Sequence, residues 1–396
     1  MTSHRSIAPG AALAAALALA ACDAAPVAPR ADSVSRGTAA ALAGSGEIVG
    51  IDLGVLPGDV SSRPVWITED GAVYGYSYGA SEPTGHPFRW TAATGMQAVA
   101  SIPPKPAFPI PAGAPAGAFA ANAKGEVTGP DVEIREPAWR WSRGAGKRVL
   151  DPWFALDPEF VDPSNGAAIN RWGHVAGGRS SEGSLITFLW TPVDSFGDPG
   201  EIYSRVTSGE STNQPPYITI NDNDQVTTMV CCLPNALVWR PDMGSRALVN
   251  ADGVLSEDQP TYPLAQNNRN QVVGLGKPSG PGGMHATLWN TPPIDRTGFP
   301  TVNARPLAIA TTSTSLSKLG GVYRQYFKGA QSPAAGPWTE ILDWGDGTTT
   351  RRRRSSLVLT SAAHTYTRTG TYWVRVYIRD NVGRWAVGEQ RVTVSP

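Results

Sequence analysis

The sequence predicts an all-β chain in two parts, and three observations carry that prediction. A motif recurs five times at a spacing of about fifty residues. The last ninety or so residues lack that beat and alternate apolar with polar side chains, the period of a half-buried strand. Gly (43) and Pro (35) make up about a fifth of the 396 residues, below low-complexity disorder and well above what helices tolerate. Charge is sparse and balanced, 33 Lys plus Arg against 33 Asp plus Glu. That excludes a generally basic nucleic-acid binder and an acidic disordered chain.

The first 45 residues carry an address rather than a fold. Arg5 supplies a thin positive region, and Ile7 to Ala21 is an apolar run dominated by Ala and Leu. It is too short to span ~30 Å of hydrocarbon as a helix, so it reads as a signal segment. The run ends Leu19-Ala20-Ala21-Cys22, which resembles the lipobox of bacterial lipoproteins. That resemblance implies a signal peptide over residues 1–21, cleavage before Cys22 and lipidation of its thiol. The competing reading is an ordinary secretory signal with Cys22 as a plain thiol. Acyl chains hold a protein on a membrane at ~0.8 kcal/mol per buried CH₂ without a spanning helix. Residues 22–45 are rich in Ala, Pro, Ser and Gly and read as a flexible tether.

Residues 46–303 hold the repeats. The heptapeptides begin at Ile67, Ala121, Ile169, Ile220 and Gln266, and each is followed by a strand carrying a Trp. These are Trp90, Trp141, Trp190, Trp239 and Trp289, spaced 51, 49, 49 and 50 residues apart. The turn column reads Gly71, Gly125, Gly173, Asp224, Asn270, the residue types that best tolerate positive φ in a tight turn. Three residues earlier stand Thr68, Asn122, Asn170, Asn221 and Asn267, whose side chains can bond their own turn backbone. A Val column opens the returning strand, and Gly75, Gly129, Gly177 and Gly274 follow two residues on, with Thr228 the exception. The Trp column and the residues two before it (Phe88, Trp139, Phe188, Leu237, Thr287) are expected core positions on one strand face; a sugar-stacking platform is the competing role for the Trp column.

Four short strands in about fifty residues is how a propeller blade is written, so the prediction is a five-bladed β-propeller-like domain. A linear β-solenoid is the competing architecture. The fifth unit lacks a clear fourth strand after Trp289, while Glu47 to Leu56 is a strand without a partner. The expectation is that this segment completes the last blade and joins the chain ends, removing exposed sheet edges. The motif, with His86-Pro87-Phe88-Arg89-Trp90 and His285-Ala286-Thr287-Leu288-Trp289 as its nearest copies, resembles the HAF-repeat proteins, bacterial extracellular proteins of undefined biochemical role.

Residues 304–396 form the second part. Trp344-Gly345-Asp346-Gly347 is followed by His364 and Tyr366, then by Gly370, Tyr372 and an alternating strand to Asp380. This set resembles the signature of PKD domains, which are immunoglobulin-like β-sandwiches, with Trp344 standing where the family has Phe. Tyr372, Val374, Val376 and Ile378 form the expected buried row. This part carries 13 Lys/Arg against 5 Asp/Glu and the rest of the chain 20 against 28, so the two could attract each other or the sandwich could face an anionic polymer. Arg351 to Arg354 reads as a solvated loop or a sheet edge protected by charge.

Chemistry is thin. The five His (His4, His86, His174, His285, His364) show no metal-ligand spacing, and no nucleophile elbow or phosphate loop occurs. Asp343, Asp346 and Asp380 are a candidate Ca²⁺ set, with turn capping the favoured role; otherwise no cofactor is expected. Asp222-Asn223-Asp224 is read as a turn. Asp131, Glu133, Glu136, Asp157 and Glu159 are loop acids available to a glycosidase, with none preferred. Cys231 and Cys232 adjoin and are given no catalytic role. The expected protein is exported, lipid-anchored to the bacterial cell envelope and facing the periplasm or surface. It is expected to act as a non-catalytic binding or adhesion scaffold for glycans or proteins, without a nucleic-acid partner. The alternative is a secreted carbohydrate-active enzyme, a glycoside hydrolase or lyase with a propeller catalytic domain. Ligand and oligomeric state are not legible.

Overall fold

The computed structural model describes residues 46–396 apart from 82–83, 130–137, 151–163, 182–183, 192–217, 230–234, 241–242, 255–259, 279–281, 295–300, 303–313, 328–329, 332–335, 357–359 and 380–384. The expected signal peptide and tether with Cys22, the Cys231–Cys232 pair, Asp131, Glu133, Glu136, Asp157, Glu159 and Asp380 lie outside the described residues. Among the described residues every regular element is a strand, and no helix is long and apolar enough to cross a membrane.

Strand β1 (Ile48–Asp52) comes first. Unit 1 contains β2 (Ser61–Ile67), β3 (Val73–Tyr78), β4 (His86–Thr91) and β5 (Gly95–Ala98). Unit 2 contains β6 (Ala120–Ala121), β7 (Val127–Gly129), β8 (Trp139–Ser142) and β9 (Gly146–Val149), and unit 3 contains β10 (Ser164–Ile169), β11 (Val175–Ser181) and β12 (Ser184–Trp190). Unit 4 contains β13 (Thr219–Ile220), β14 (Val226–Thr228), β15 (Leu237–Arg240) and β16 (Gly244–Val249), and unit 5 contains β17 (Tyr262–Gln266), β18 (Gln271–Gly276) and β19 (His285–Asn290). Each unit is an antiparallel meander.

The columns read from the sequence have their physical cause here. All five turn residues take positive φ: 91° at Gly71, 71° at Gly125, 77° at Gly173, 58° at Asp224 and 63° at Asn270. The later glycine column answers a bulge in the facing strand. Register shifts between Pro64 and Trp66 opposite Gly75, and between Pro263 and Ala265 opposite Gly274. The extra residue brings a carbonyl inward. A Cβ on Gly75 would lie 2.3 Å from the Arg63 oxygen, and one on Gly274 1.9 Å from that of Tyr262.

Units pack in a constant sense, the Val/Trp face of one against the reverse of another. Val175, Phe188 and Trp190 of unit 3 cluster with Ala138 and Leu150 of unit 2. Val226, Leu237 and Trp239 of unit 4 meet Ala176 and Leu189 of unit 3, and Val272 and Trp289 of unit 5 meet Ala236, Val238 and Leu248 of unit 4. Val73, Phe88 and Trp90 of unit 1 then pack on Val273, Ala286 and Leu288 of unit 5. The order is therefore 2-3-4-5-1. The matching face of unit 2, Val127, Trp139 and Trp141, is covered by Ala114, Ala118 and Ala121.

Of the expected ring closure, the part that places Glu47–Leu56 in the last unit is present, without joining unit 1 to unit 2. Residues 50–52 of β1 pair antiparallel with β19, Gly50 opposite Trp289, as the fourth strand of unit 5. A second link was not anticipated: Ile48 and Val49 pair parallel with Leu248 and Val249 of β16. β1 thus fuses units 4 and 5 into one eight-stranded sheet. Gly50 sits at the crossover, where a Cβ would lie 2.5 Å from the Thr287 methyl and 2.9 Å from the Trp289 indole nitrogen.

Two expectations about burial need amendment. The Trp strands of units 3, 4 and 5 are buried on both faces, because Leu189, Val238 and Leu288 pack outward against the next unit while Phe188, Leu237 and Thr287 pack inward, as Phe88 and Trp139 do in units 1 and 2. Trp141, Trp190, Trp239 and Trp289 are buried, but Trp90 is only half-buried.

The C-terminal strands are β20 (Thr301–Val302), β21 (Thr314–Lys318), β22 (Val322–Phe327), β23 (Ala330–Gln331), β24 (Trp338–Asp343), β25 (Thr349–Arg354), β26 (Thr360–Thr365), β27 (Gly370–Arg379) and β28 (Trp385–Ser395). A five-stranded sheet in the order β21-β28-β27-β24-β25 is accompanied by the pair β22-β26. One core joins them, containing Tyr323, Leu342, Trp344, Tyr366, Tyr372, Val374, Val376, Ile378 and Val392. The signature residues are this core's aromatic stack. Trp344 stacks on His364 at 4.8 Å, His364 meets Tyr366 edge-on at 4.6 Å, and Tyr366 stacks on Tyr372 at 4.4 Å. Gly345 and Gly347 take φ of 78° and 90° in the turn. Gly370 begins β27. The Arg351–Arg354 run belongs to the edge strand β25, where Arg352 and Arg354 reach Glu340. The row of β27 expected to face solvent is also covered: Arg375 and Tyr377 are fully buried, against residues of units 2 and 3.

Candidate functional site

Two regions organise polar side chains: the turn end of the repeat units, and a cleft where unit 5 meets unit 1. At the turn end, Asn122, Asn170, Asn221 and Asn267 are buried and use both ends of the carboxamide. Each Oδ1 accepts two N–H groups of its own turn, as Asn221 does from Asn223 and Gln225. Each Nδ2 donates forward to the equivalent carbonyl of the neighbouring unit: Asn122 to Asn170 (2.8 Å), Asn170 to Asn221 (3.1 Å), Asn221 to Asn267 (2.9 Å) and Asn267 to Thr68 (2.9 Å). Sequence reasoning found the first half of this role and missed the second.

A further column strengthens the ladder. Glu126, His174, Gln225 and Gln271 follow the turn residue and lie against the following unit. His174 Nδ1 stands 2.8 Å from Asp224, and Gln225 accepts from Thr291 and donates to Gln266. Unit 1 has Thr68 and Ala72 at the two bridging positions, so it has no amide to reach forward with. Its sequence suits the end of the 2-3-4-5-1 order. Asp222 and Asp224 are spent in this ladder, accepting from Arg171 and Asn170.

The C-terminal sheet docks on units 2 and 3. Arg375 donates two hydrogen bonds to Glu126, at 2.9 and 2.7 Å, and Arg140 pairs with the same carboxylate. Burial pushes the Glu126 carboxyl up, but the two guanidinium groups overcome it and hold it well below the usual carboxylate range. Lys124 pairs with Glu389 and lies over the Trp373 and Trp172 rings, 4.8 and 5.3 Å from their centroids. Burial and the nearby Arg375 lower its ammonium to about 8, against the opposing pull of Glu389. The opposite net charges of the two parts therefore meet in specific pairs.

The cleft is lined by Asp70, Ala72, Trp90, Thr91 and Ala92 of unit 1, Ile51 of β1, and Gln271, Leu288 and Asn290 of unit 5. Its volume is about 190 Å³. Trp90, the half-buried member of the Trp column, forms an apolar wall with Ile51 and Leu288. Asp70 accepts the Thr68 hydroxyl, and that bond, more than its slight desolvation, lowers its carboxyl from the ordinary value, with Arg89 contributing. Gln271 donates to Asn290 Oδ1 at 2.9 Å, and among the described residues the Asn290 amide hydrogens meet no acceptor. Of the lining residues only Asp70 is acidic.

The four described histidines each face an aspartate: His86 with Asp59 (3.1 Å), His174 with Asp224, His285 with Asp52 (3.0 Å) and His364 with Asp346 (2.6 Å). Asp343 and Asp346 cap their own turn through Gly345 N–H and Thr348 N–H, and Asp343 also faces Arg140. Among the described residues no group of three or more His, Cys, Asp or Glu is arranged to hold a metal.

No family model matches the chain, and no curated protein matches it. Solved structures with similarity include the PKD domain of an M14-like peptidase from Thermoplasmatales archaeon SCGC AB-540-F20, at 25% identity and TM-score 0.21, covering 25% of this chain and 94% of that domain. The extracellular domain of a putative one-component system from B. thetaiotaomicron is similar at 9% identity and TM-score 0.25 over 84% of this chain, which spans 43% of that domain. Virginiamycin B lyase from Staphylococcus aureus is similar at 12% identity and TM-score 0.25, covering 86% of this chain and 97% of that one.

Proposed function

We propose that the chain is an exported, lipid-anchored binding scaffold of the cell envelope, tethered through Cys22, whose five repeat units form a propeller-like, HAF-type array carrying a C-terminal PKD sandwich. The observation that supports this reading most is the cleft between units 5 and 1, set in a frame that holds it still. The walls come from strands tied by the asparagine ladder and by β1, so the site is formed before any ligand arrives. Its polar groups suit recognition rather than acid–base cleavage. Glycoside hydrolysis works through two flanking carboxyl groups, and this lining presents one, already occupied by Thr68. The docked sandwich adds a rigid second surface, because Glu126 and Arg375 are buried together.

Two measurements test the proposal. Metabolic labelling with palmitate should mark the wild-type chain and not Cys22→Ala; equal labelling, or none in either, removes the anchor. Incubation with glycan polymers should give retention without new reducing ends; steady release of shorter products would establish the enzyme reading instead.

A further inference from the structure

We infer that the cleft between units 5 and 1 binds one uncharged saccharide ring, stacked on Trp90 and hydrogen-bonded by Asp70 and Asn290. This rests on the reading of the chain as a non-catalytic binding scaffold and names the ligand class of that site.

The argument starts from size. A volume of about 190 Å³ falls below the ~300–1,000 Å³ of sites for drug-sized ligands and suits one six-membered ring. The lining is divided by polarity. Trp90, Ile51, Leu288, Ala72 and Ala92 present carbon, whereas Asp70, Thr91 and Asn290 present hydrogen-bonding groups. A pyranose has the matching division, with axial C–H groups on one face and hydroxyls around its rim. Those C–H groups are attracted to the negative face of an indole, the edge-to-face geometry that also favours aromatic pairs. Trp90 is the one member of its column left half-exposed, and this is where its ring meets open space. Asn290 contributes amide donors that meet no acceptor among the described residues, and Asp70 retains acceptor capacity beyond its bond to Thr68.

Charge selects among sugars. Asp70 is ionised and is the acid of the lining, so a uronic acid is repelled. A cation finds a single carboxylate, already bonded by Thr68, and no second acid in the lining to enclose it. An uncharged ring remains.

The test is saturation-transfer NMR on the whole purified chain with glucose, galactose, mannose, N-acetylglucosamine, glucuronate and tetramethylammonium as separate probes. Expected is transfer to at least one uncharged sugar, with glucuronate and tetramethylammonium silent. Asn290→Ala should weaken that sugar about fivefold, the loss of one neutral hydrogen bond. Ala92→Arg, an exposed substitution at the lip that leaves the Trp90 packing in place, should abolish transfer. The inference is overturned if no uncharged sugar responds, if either ion binds as well as the sugar, or if both variants bind like wild type. In that last case a glycan still bound elsewhere would preserve the scaffold reading while removing this site. Breakdown of a bound oligosaccharide would remove the scaffold reading itself.

Discussion

The dock over units 2 and 3 and the cleft between units 5 and 1 use the same turn columns for opposite ends. At the dock, the position after the turn is Glu126, whose carboxylate is enclosed by Arg140 and Arg375. At the cleft, the equivalent position is Gln271 of unit 5, a neutral amide that lines the opening, while unit 1, last in the order, carries Thr68 and Ala72 at the two bridging positions. One repeat template thus holds an enclosed ion cluster at one junction and lines an opening with a neutral amide at another. Enclosure brings sensitivity with it, because a buried ion must keep its partners, whereas an open rim tolerates change.

The largest effect is expected at the dock. Arg375→Ala leaves Glu126 buried beside a single guanidinium, and removing one partner of such a set costs about 3–5 kcal/mol. Urea unfolding should show it; a loss below about 1 kcal/mol would mean that the dock is loosely held. Next comes the β1 crossover. Gly50→Val places side-chain carbon against Thr287 and Trp289 and should cost about 1–3 kcal/mol by overpacking, read as a fall in Tm, while unchanged melting would argue against the joining of chain ends. Asn221→Ala removes the one oxygen that accepts two N–H groups of its own turn and the forward bond to Asn267, for about 1–3 kcal/mol, with faster amide exchange at Asn223 and Gln225. Protection that stays at wild-type level would reduce the ladder to coincidence.

Acid should separate the two regions without mutation. Glu126 has a folded-state carboxyl held well below its ordinary value of 4.5. The unfolded chain therefore takes up the proton first. The stabilisation is complete above about 4.5 and drains away as pH falls below it. Thermal melts should lose Tm steeply in that window, and the slope should shrink in Glu126→Gln. The smallest expected change is alkaline. Lys124, lowered to about 8 from 10.5 by burial and Arg375, binds its proton less well folded than unfolded, so its contribution rises as pH climbs through that interval. A Lys124→Met chain should show a flatter stability profile between pH 8 and 10.

What was legible beforehand follows from what repeats. The turn residues, the Trp spacing and the orphan strand at Glu47–Leu56 were readable because each expresses a local backbone demand or an unpaired edge. Aromatic residues such as Trp344, His364 and Tyr366 were readable because one domain's core needs all of them together. Opposite charge suggested that the two parts could attract each other, but the residues of the dock were not legible, since Glu126 and Arg375 stand 249 residues apart and Glu126 is the one acid in its column. The signal for the forward column was present, polar in four units and Ala72 in the fifth, but its residues differ in kind: Glu126, His174, Gln225 and Gln271 share only a direction. Trp90 looked like its four counterparts, and only the neighbours set by packing order leave it half-open.

Strand β1 also decides how a pull on the amino end would travel. Its hydrogen bonds to β16 and β19 run across the strand axis, so tension applied along residues 46–52 strains both ladders at once instead of peeling one bond after another. The leading segment of the folded body therefore behaves as a shear clamp, and two sheets share whatever load reaches it.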